Sequence, residues 1–140
     1  MVSSLFVTGT DTGVGKTLAA CALLHQLRGR GLRALGMKPV AAGVEPSPEG
    51  PVNPDVAALR QASSWPGPLD QVNPYLFEPP IAPHLAATAV GVRIELPRIV
   101  QAFRALARAV DEGRLEHAVR IAVGSPEAPA DVVELADLVV

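Results

Sequence analysis

Nine consecutive residues, Gly9-Thr10-Asp11-Thr12-Gly13-Val14-Gly15-Lys16-Thr17, have the types and spacing from which a phosphate site can be made. Glycines let backbone N–H groups close around phosphate oxygens, and a following helix N-terminus adds partial positive charge. A lysine can then reach the outer phosphates, and a threonine hydroxyl can ligate Mg²⁺. Lys16 and Thr17 stand at the positions those two tasks require. The usual pattern sets four residues between its first glycine and Gly-Lys-Thr. Here Thr10 occupies that first place and Gly9 lies one step earlier, while Gly13 and Gly15 supply the curvature. A second cation draws notice because all but two of the 12 basic residues are arginine, the exceptions being Lys16 and Lys38. Lysine offers a compact ammonium that a planar guanidinium does not replace at a small anionic centre.

Lys38 precedes Pro39 at the end of an expected strand, where open parallel sheets bind ligands. The plain alternative is a surface lysine at a strand end. Asp55 opens an expected helix, so its carboxylate either complements the helix dipole or reaches Mg²⁺ beside the loop threonine, and local sequence leaves both open. Other reactive types read more blandly. His84 after Pro83 is a loop or cap residue, His25 and His117 sit on helix surfaces, and Cys21 is a small buried helix residue. Trp65 and Tyr75 lie in or beside loops without basic interleaving, so no base-stacking platform is expected.

The elements that must position these groups follow from apolar patterning. Ser4 to Thr8 reads as a buried parallel strand feeding the glycine loop, and Leu18 to Arg28 as the helix after it. Strand, glycine loop and helix in that order are the setting a phosphate-binding loop needs. A second strand runs from Leu32 to about Lys38, closed by Pro39, and Ala41 to Pro54 reads as loop. Asn53 caps a short helix to about Ala62, with proline in its first turn. Ser63 to Asp70 is a turn-rich connection, Val72 to Phe77 a short strand and His84 to Thr88 a short helix. From Leu96, apolar residues at steps of three and four predict an amphipathic helix ending before Gly113, with Arg98, Arg104, Arg108 and Asp111 on a solvated face. Val119 to Gly124 reads as a strand, Ala130 to Ala136 as a helix and Asp137 to Val140 as a strand. Alternating elements of this kind predict an α/β fold with a mostly parallel sheet covered by helices.

Composition narrows the function classes. The 140 residues are 49% apolar and 19% charged, as in a globular chain, and the length suits a single domain. A formal net charge of −2 gives no whole-molecule field toward nucleic acid or an anionic membrane. The single cysteine excludes an intramolecular disulfide and any multi-cysteine zinc site. No apolar run approaches the roughly 18 residues of a membrane span, and the N-terminus lacks a signal-peptide pattern. A cytoplasmic protein, without nucleic-acid or membrane partners, is the expectation.

Four segments taken together carry a resemblance: GTDTGVGKT at 9–17, GMKPVAAG at 36–43, NPDVAAL at 53–59 and VNPYLFEPPIAPHLAA at 72–87. In this order they resemble the ATP-dependent dethiobiotin synthetases over roughly residues 2–108. The resemblance implies a homodimeric P-loop enzyme of biotin biosynthesis that joins CO₂ to 7,8-diaminononanoate with ATP and Mg²⁺. It implies that Gly13, Val14, Gly15, Lys16, Thr17 and Leu18 hold ATP with Asp55, and that Thr17 and Asp55 serve Mg²⁺. It further implies that Lys38 and Lys16 are catalytic, with Thr12, Lys38 and Ala42 against the substrate. Ala42 departs from the hydroxyl residue usual at its position.

Residues 1–108 form the region of resemblance, and residues 109–140 read as a divergent C-terminal segment of the same domain, leaving the fold incomplete relative to the family. The family's Glu-Gly-Ala-Gly-Gly segment, whose glutamate completes the Mg²⁺ site, has no counterpart in this sequence. Ala136 to Val140 resembles the strand before it, and nothing in the sequence sets Glu127 or Glu134 near the phosphates. Two alternatives stay open: a nucleotide-binding protein without synthetase turnover, and a partitioning-type P-loop ATPase. The latter places a signature lysine where this chain has Asp11.

Overall fold

The computed structural model describes residues 3–10, 13–109 and 118–123, and for Ser3 and 118–123 the backbone alone. β1 (Ser3–Val7) leads into the glycine loop, and α1 (Lys16–Gly29) follows it. β2 (Arg33–Met37), β3 (Val40–Ala42), α2 (Pro54–Ala62), α3 (Leu69–Val72) and β4 (Tyr75–Phe77) come next in the chain. α4 (Pro83–Ala89), α5 (Leu96–Ala109) and β5 (Ala118–Val123) complete the described elements. The expected helix at 130–136 and strand at 137–140 lie outside the described residues.

β5 lies between β1 and β2, and both pairings are parallel, with Val7 opposite Val123 and Met37 opposite Ala122. β3 and β4 form a separate parallel pair in which Val40 faces Tyr75 and Ala42 faces Phe77. Parallel strands of this kind need helices over their faces to exclude water. α1 and α2 supply that cover for β2: Ala20 and Leu24 of α1 pack with Ala34, Leu59 and Ala62 in one buried cluster. Gly36 permits this approach, since a side chain there would meet Leu24 Cδ1 and Leu59 Cδ2 at 3.1 Å. The second cluster joins Met37, Ala41 and Val56 to Tyr75, Phe77, Ala86, Ile99 and Leu106, so α4 and α5 are held against the β3–β4 pair.

The other edge of β2 is closed by side chains instead of a strand. Ser63 Oγ accepts from Gly36 N at 2.9 Å and donates to Leu59 O at 2.7 Å, while Ser64 Oγ accepts from Ala34 N at 3.0 Å.

Three expectations need adjusting. Residues 40–42, which lie beyond the strand expected to close at Pro39 and run into the segment read as loop from Ala41, form β3, because a parallel partner becomes available only when β4 is folded beside it. The strand expected over 72–77 is shortened to 75–77. Residues 69–72 make one helical turn instead, which ends where the Asn73 N–H donates to Leu69 O and Pro74 cannot continue it. The third concerns Arg98, expected on a solvated face: Tyr75, within the expected strand, has a buried side chain whose hydroxyl accepts from Glu95 N at 3.0 Å, and the Arg98 guanidinium lies 4.6 Å from its ring centroid. Arg98 therefore covers an aromatic ring and is not merely solvated.

Candidate functional site

Glycine conformation shapes the start of the site. Gly13 and Gly15 have φ values of 75° and 97°, in the left-handed region that other residues adopt at a cost. A Cβ at either position would meet nothing within 4 Å among the described residues. Gly9, by contrast, lies under the loop, where a Cβ would fall 2.8 Å from Val14 Cγ2 and 3.1 Å from Lys16 Cγ. The glycine one step before the usual place therefore leaves room for the stem of Lys16 to fold back over the end of β1.

α1 begins at Lys16, two residues earlier than the apolar pattern indicated, which brings Lys16 and Thr17 into its first turn. Its N-cap residue is Gly15, which has no side chain to cap it, and its first turn contains no acidic residue. Its leading N–H groups and dipole give this end of α1 positive character, the feature that suits an anion.

Lys38 stands just beyond β2 and Asp55 in the first turn of α2, and the Lys38 ammonium donates to the Asp55 carboxylate. Asp55 thus occupies the first turn of α2, as the dipole reading has it, and its carboxylate also faces the lysine, a partner neither local reading named. Asn53 caps α2 with its Oδ1, accepting from Asp55 N at 3.0 Å and Val56 N at 3.3 Å.

A cleft of about 580 Å³ brings these groups together. Gly13, Gly15, Lys16, Thr17 and Leu18 line one side, and Lys38, Ala42 and Asp55 the other. A wall runs from Pro80 to Pro83. Of the remaining expected site residues, Val14 is exposed and does not line the cleft, and Thr12 lies outside the described residues. His84 and His25 are exposed and contribute nothing to the cleft, and His117 lies outside the described residues. Cys21 is half-buried instead of fully buried, and burial, followed by the negative charge of Asp55, pushes its thiol pKa up.

Asn53 and the Pro80–Pro83 wall were not legible as cleft residues in the sequence. Asn53 carried a cap signal that did not indicate its second task, and the wall's only signal was the run Pro-Pro-Ile-Ala-Pro, which stiffens a chain without saying where it lies. Among the described residues there is no group of three or more His, Cys, Asp or Glu side chains that could hold a metal ion by themselves. Nor is any described helix long and apolar enough to cross a membrane.

A family model described as an AAA domain matches residues 3–120. ATP-dependent dethiobiotin synthetase BioD of Xanthomonas axonopodis pv. citri (strain 306) is 53% identical over 103 residues, covering 74% of this chain and 46% of that protein. The protein of the same name from Aromatoleum aromaticum is 52% identical over 106 residues, covering 76% of this chain and 47% of its own length. That from Aeromonas hydrophila subsp. hydrophila is 49% identical over 109 residues, at 78% and 48% coverage. The chain thus spans about half the length of the curated relatives it matches.

Proposed function

The chain belongs to the AAA domain family, and from that premise we propose that it acts as an ATP-dependent dethiobiotin synthetase, joining CO₂ to 7,8-diaminononanoate. The observation that carries this reading is the convergence of the N-terminus of α1, Lys16, Thr17, Lys38 and Asp55 on one cleft. In this reading residues 1–108 supply the phosphate and substrate region and 109–140 a divergent part of the same domain. The enzyme works in the cytoplasm as a homodimer, with neither nucleic acid nor membrane as partner.

The cleft suits a triphosphate in size and charge. Its volume falls within the roughly 300–1,000 Å³ of small-molecule sites, and two ammonium groups line it. Mg²⁺ also fits the donor set: Thr17 offers a hydroxyl and Asp55 a carboxylate, the hard oxygen donors such an ion would take. When bound, the ion would supply charge neutralisation at the phosphates.

The chain's own residues then have distinct tasks. Backbone N–H groups from Gly13 to Leu18 hold the phosphates, with Lys16 neutralising the outer ones. Thr12, Lys38 and Ala42 face the diamine, Ala42 through its backbone. One substrate amine takes up CO₂ as a carbamate with loss of a proton. The carbamate oxygen attacks the γ-phosphorus and ADP leaves. The second amine then attacks the carbonyl carbon, phosphate leaves and carries off the carbamate oxygen, and the amine gives up a proton as the ring closes. Negative charge develops at both transfers, and a lysine at position 38 can follow it, since its flexible stem allows the ammonium to exchange Asp55 for the reacting oxygens.

Coupled ADP release tests the reading. Turnover should require both the diamine and bicarbonate, and Lys38→Arg should lower it on the order of 100-fold, as loss of a charge-stabilising donor does, while ATP binding persists. Full turnover by Lys38→Arg would remove Lys38 from the chemistry. Nucleotide binding with no diamine-dependent ADP release would leave the phosphate site as the chain's whole function.

A further inference from the structure

Resting on the reading of Lys38 as the second ammonium of the phosphate site, we propose that two buried asparagines, Asn53 and Asn73, are positioning residues that hold opposite ends of the 38–43 segment and so aim Lys38. Each is only 6% exposed. A buried carboxamide is costly unless its donors and acceptor are used, so its presence calls for specific partners.

Asn73 holds the first end. Its Nδ2 donates to Lys38 O at 2.7 Å and to Tyr75 O at 3.0 Å, while Lys38 N donates to Val72 O at 3.0 Å. Both backbone polar groups of Lys38 are therefore fixed by residues 72 and 73. Asn53 holds the second end, its Nδ2 donating to Ala42 O at 3.1 Å and Gly43 O at 2.9 Å. The same side chain caps α2 through Oδ1, fixing Asp55 N at 3.0 Å.

The contacts close a ring. Main chain runs from Lys38 to Ala42, the Asn53 carboxamide crosses from Ala42 to Asp55, and the ion pair returns from Asp55 to Lys38. The crossing takes a donor and an acceptor on two separate atoms, Nδ2 toward Ala42 O and Oδ1 toward Asp55 N; a serine, with one oxygen on a shorter stem, would keep the cap on α2 and lose the reach to Ala42 O, breaking the ring.

Both asparagines precede proline, Pro54 and Pro74. Proline disfavours helical backbone in the residue before it, and Asn53 (φ −78°, ψ 135°) and Asn73 (φ −139°, ψ 79°) lie outside the helical region. The Asn-Pro pairs thus preset the backbone from which each carboxamide reaches the 38–43 segment.

Because Lys16 and Lys38 are the chain's only lysines, trace acetylation of the full chain followed by mass spectrometry reads both ammonium groups in one sample. In the native chain Mg²⁺ with ATP should slow acetylation of Lys16; absence of that protection would count against the phosphate site itself, whatever the asparagine variants do. Without nucleotide, Asn73→Ala and Asn53→Ser should each raise Lys38 acetylation about fivefold and leave Lys16 within about twofold, the former being the ratio set by one net hydrogen bond. Should Asn73→Ala fail to fold, Asn53→Ser decides alone, since it keeps the helix cap. Unchanged Lys38 acetylation in the folded variants, or an equal rise at both lysines from general loosening, overturns the proposal.

Discussion

Asp55 influences two neighbours in opposite ways. It pairs with the Lys38 ammonium, and its charge, after burial, is the second cause that holds the Cys21 thiol above its ordinary pKa. The sign is fixed by which form is charged: a nearby anion disfavours a thiolate, as does burial. Cys21 should therefore alkylate more slowly than a free thiol at pH 8, and Asp55→Asn should accelerate it, because the substitution removes one of the two causes and also frees the neighbouring cation. An alkylation rate unchanged by Asp55→Asn would mean that burial alone protects the thiol. At this scale Lys16, Thr17 and Lys38 were legible, since glycine spacing and the scarcity of lysine single them out. Asn73 was not. Its partners, Lys38 O and Tyr75 O, include a residue 35 positions away that no local pattern connects to it.

Each element is only as well placed as the faces that pack it. α1 and α2 meet over Gly36, and Leu24 and Leu59, both fully buried, fill the space the glycine leaves. Arg28 of α1 also donates to Ala62 O at 3.0 Å, joining the C-terminal ends of the two helices. Leu59→Ala should cost about 2–5 kcal/mol in denaturant unfolding, the range for a large-to-small change in a packed core. Gln61→Ala, exposed on the same helix, should stay within about 0.5 kcal/mol. Equal effects at the two positions would contradict the packing of α2 on β2. The long helices were readable because apolar spacing alone defines them: α5 runs from Leu96 as expected, and Asn53 caps α2 as its sequence indicated. β3 and α3 were not, since three residues of strand or four of helix are too short to show a period and depend on neighbours brought close by the rest of the fold.

Across the whole molecule, parallel strands β1, β5 and β2 run in one direction, so the glycine loop after β1 and Lys38 after β2 emerge at the same end of the sheet. That is where open α/β sheets bind ligands, and it is why two lysines 22 positions apart in sequence line one cleft. The class of fold was plain from alternating elements, whereas the insertion of residues 118–123 between β1 and β2 was not, because strand order is decided by long-range pairing. Isothermal titration of ATP with Mg²⁺ into the native chain and into Lys16→Ala tests the phosphate clasp most directly. Saturable binding by the native chain is expected, weakened at least about tenfold by Lys16→Ala, the effect of losing one hydrogen bond to a charged group. Native chain that takes up no nucleotide, or Lys16→Ala that binds it equally well, would contradict the clasp.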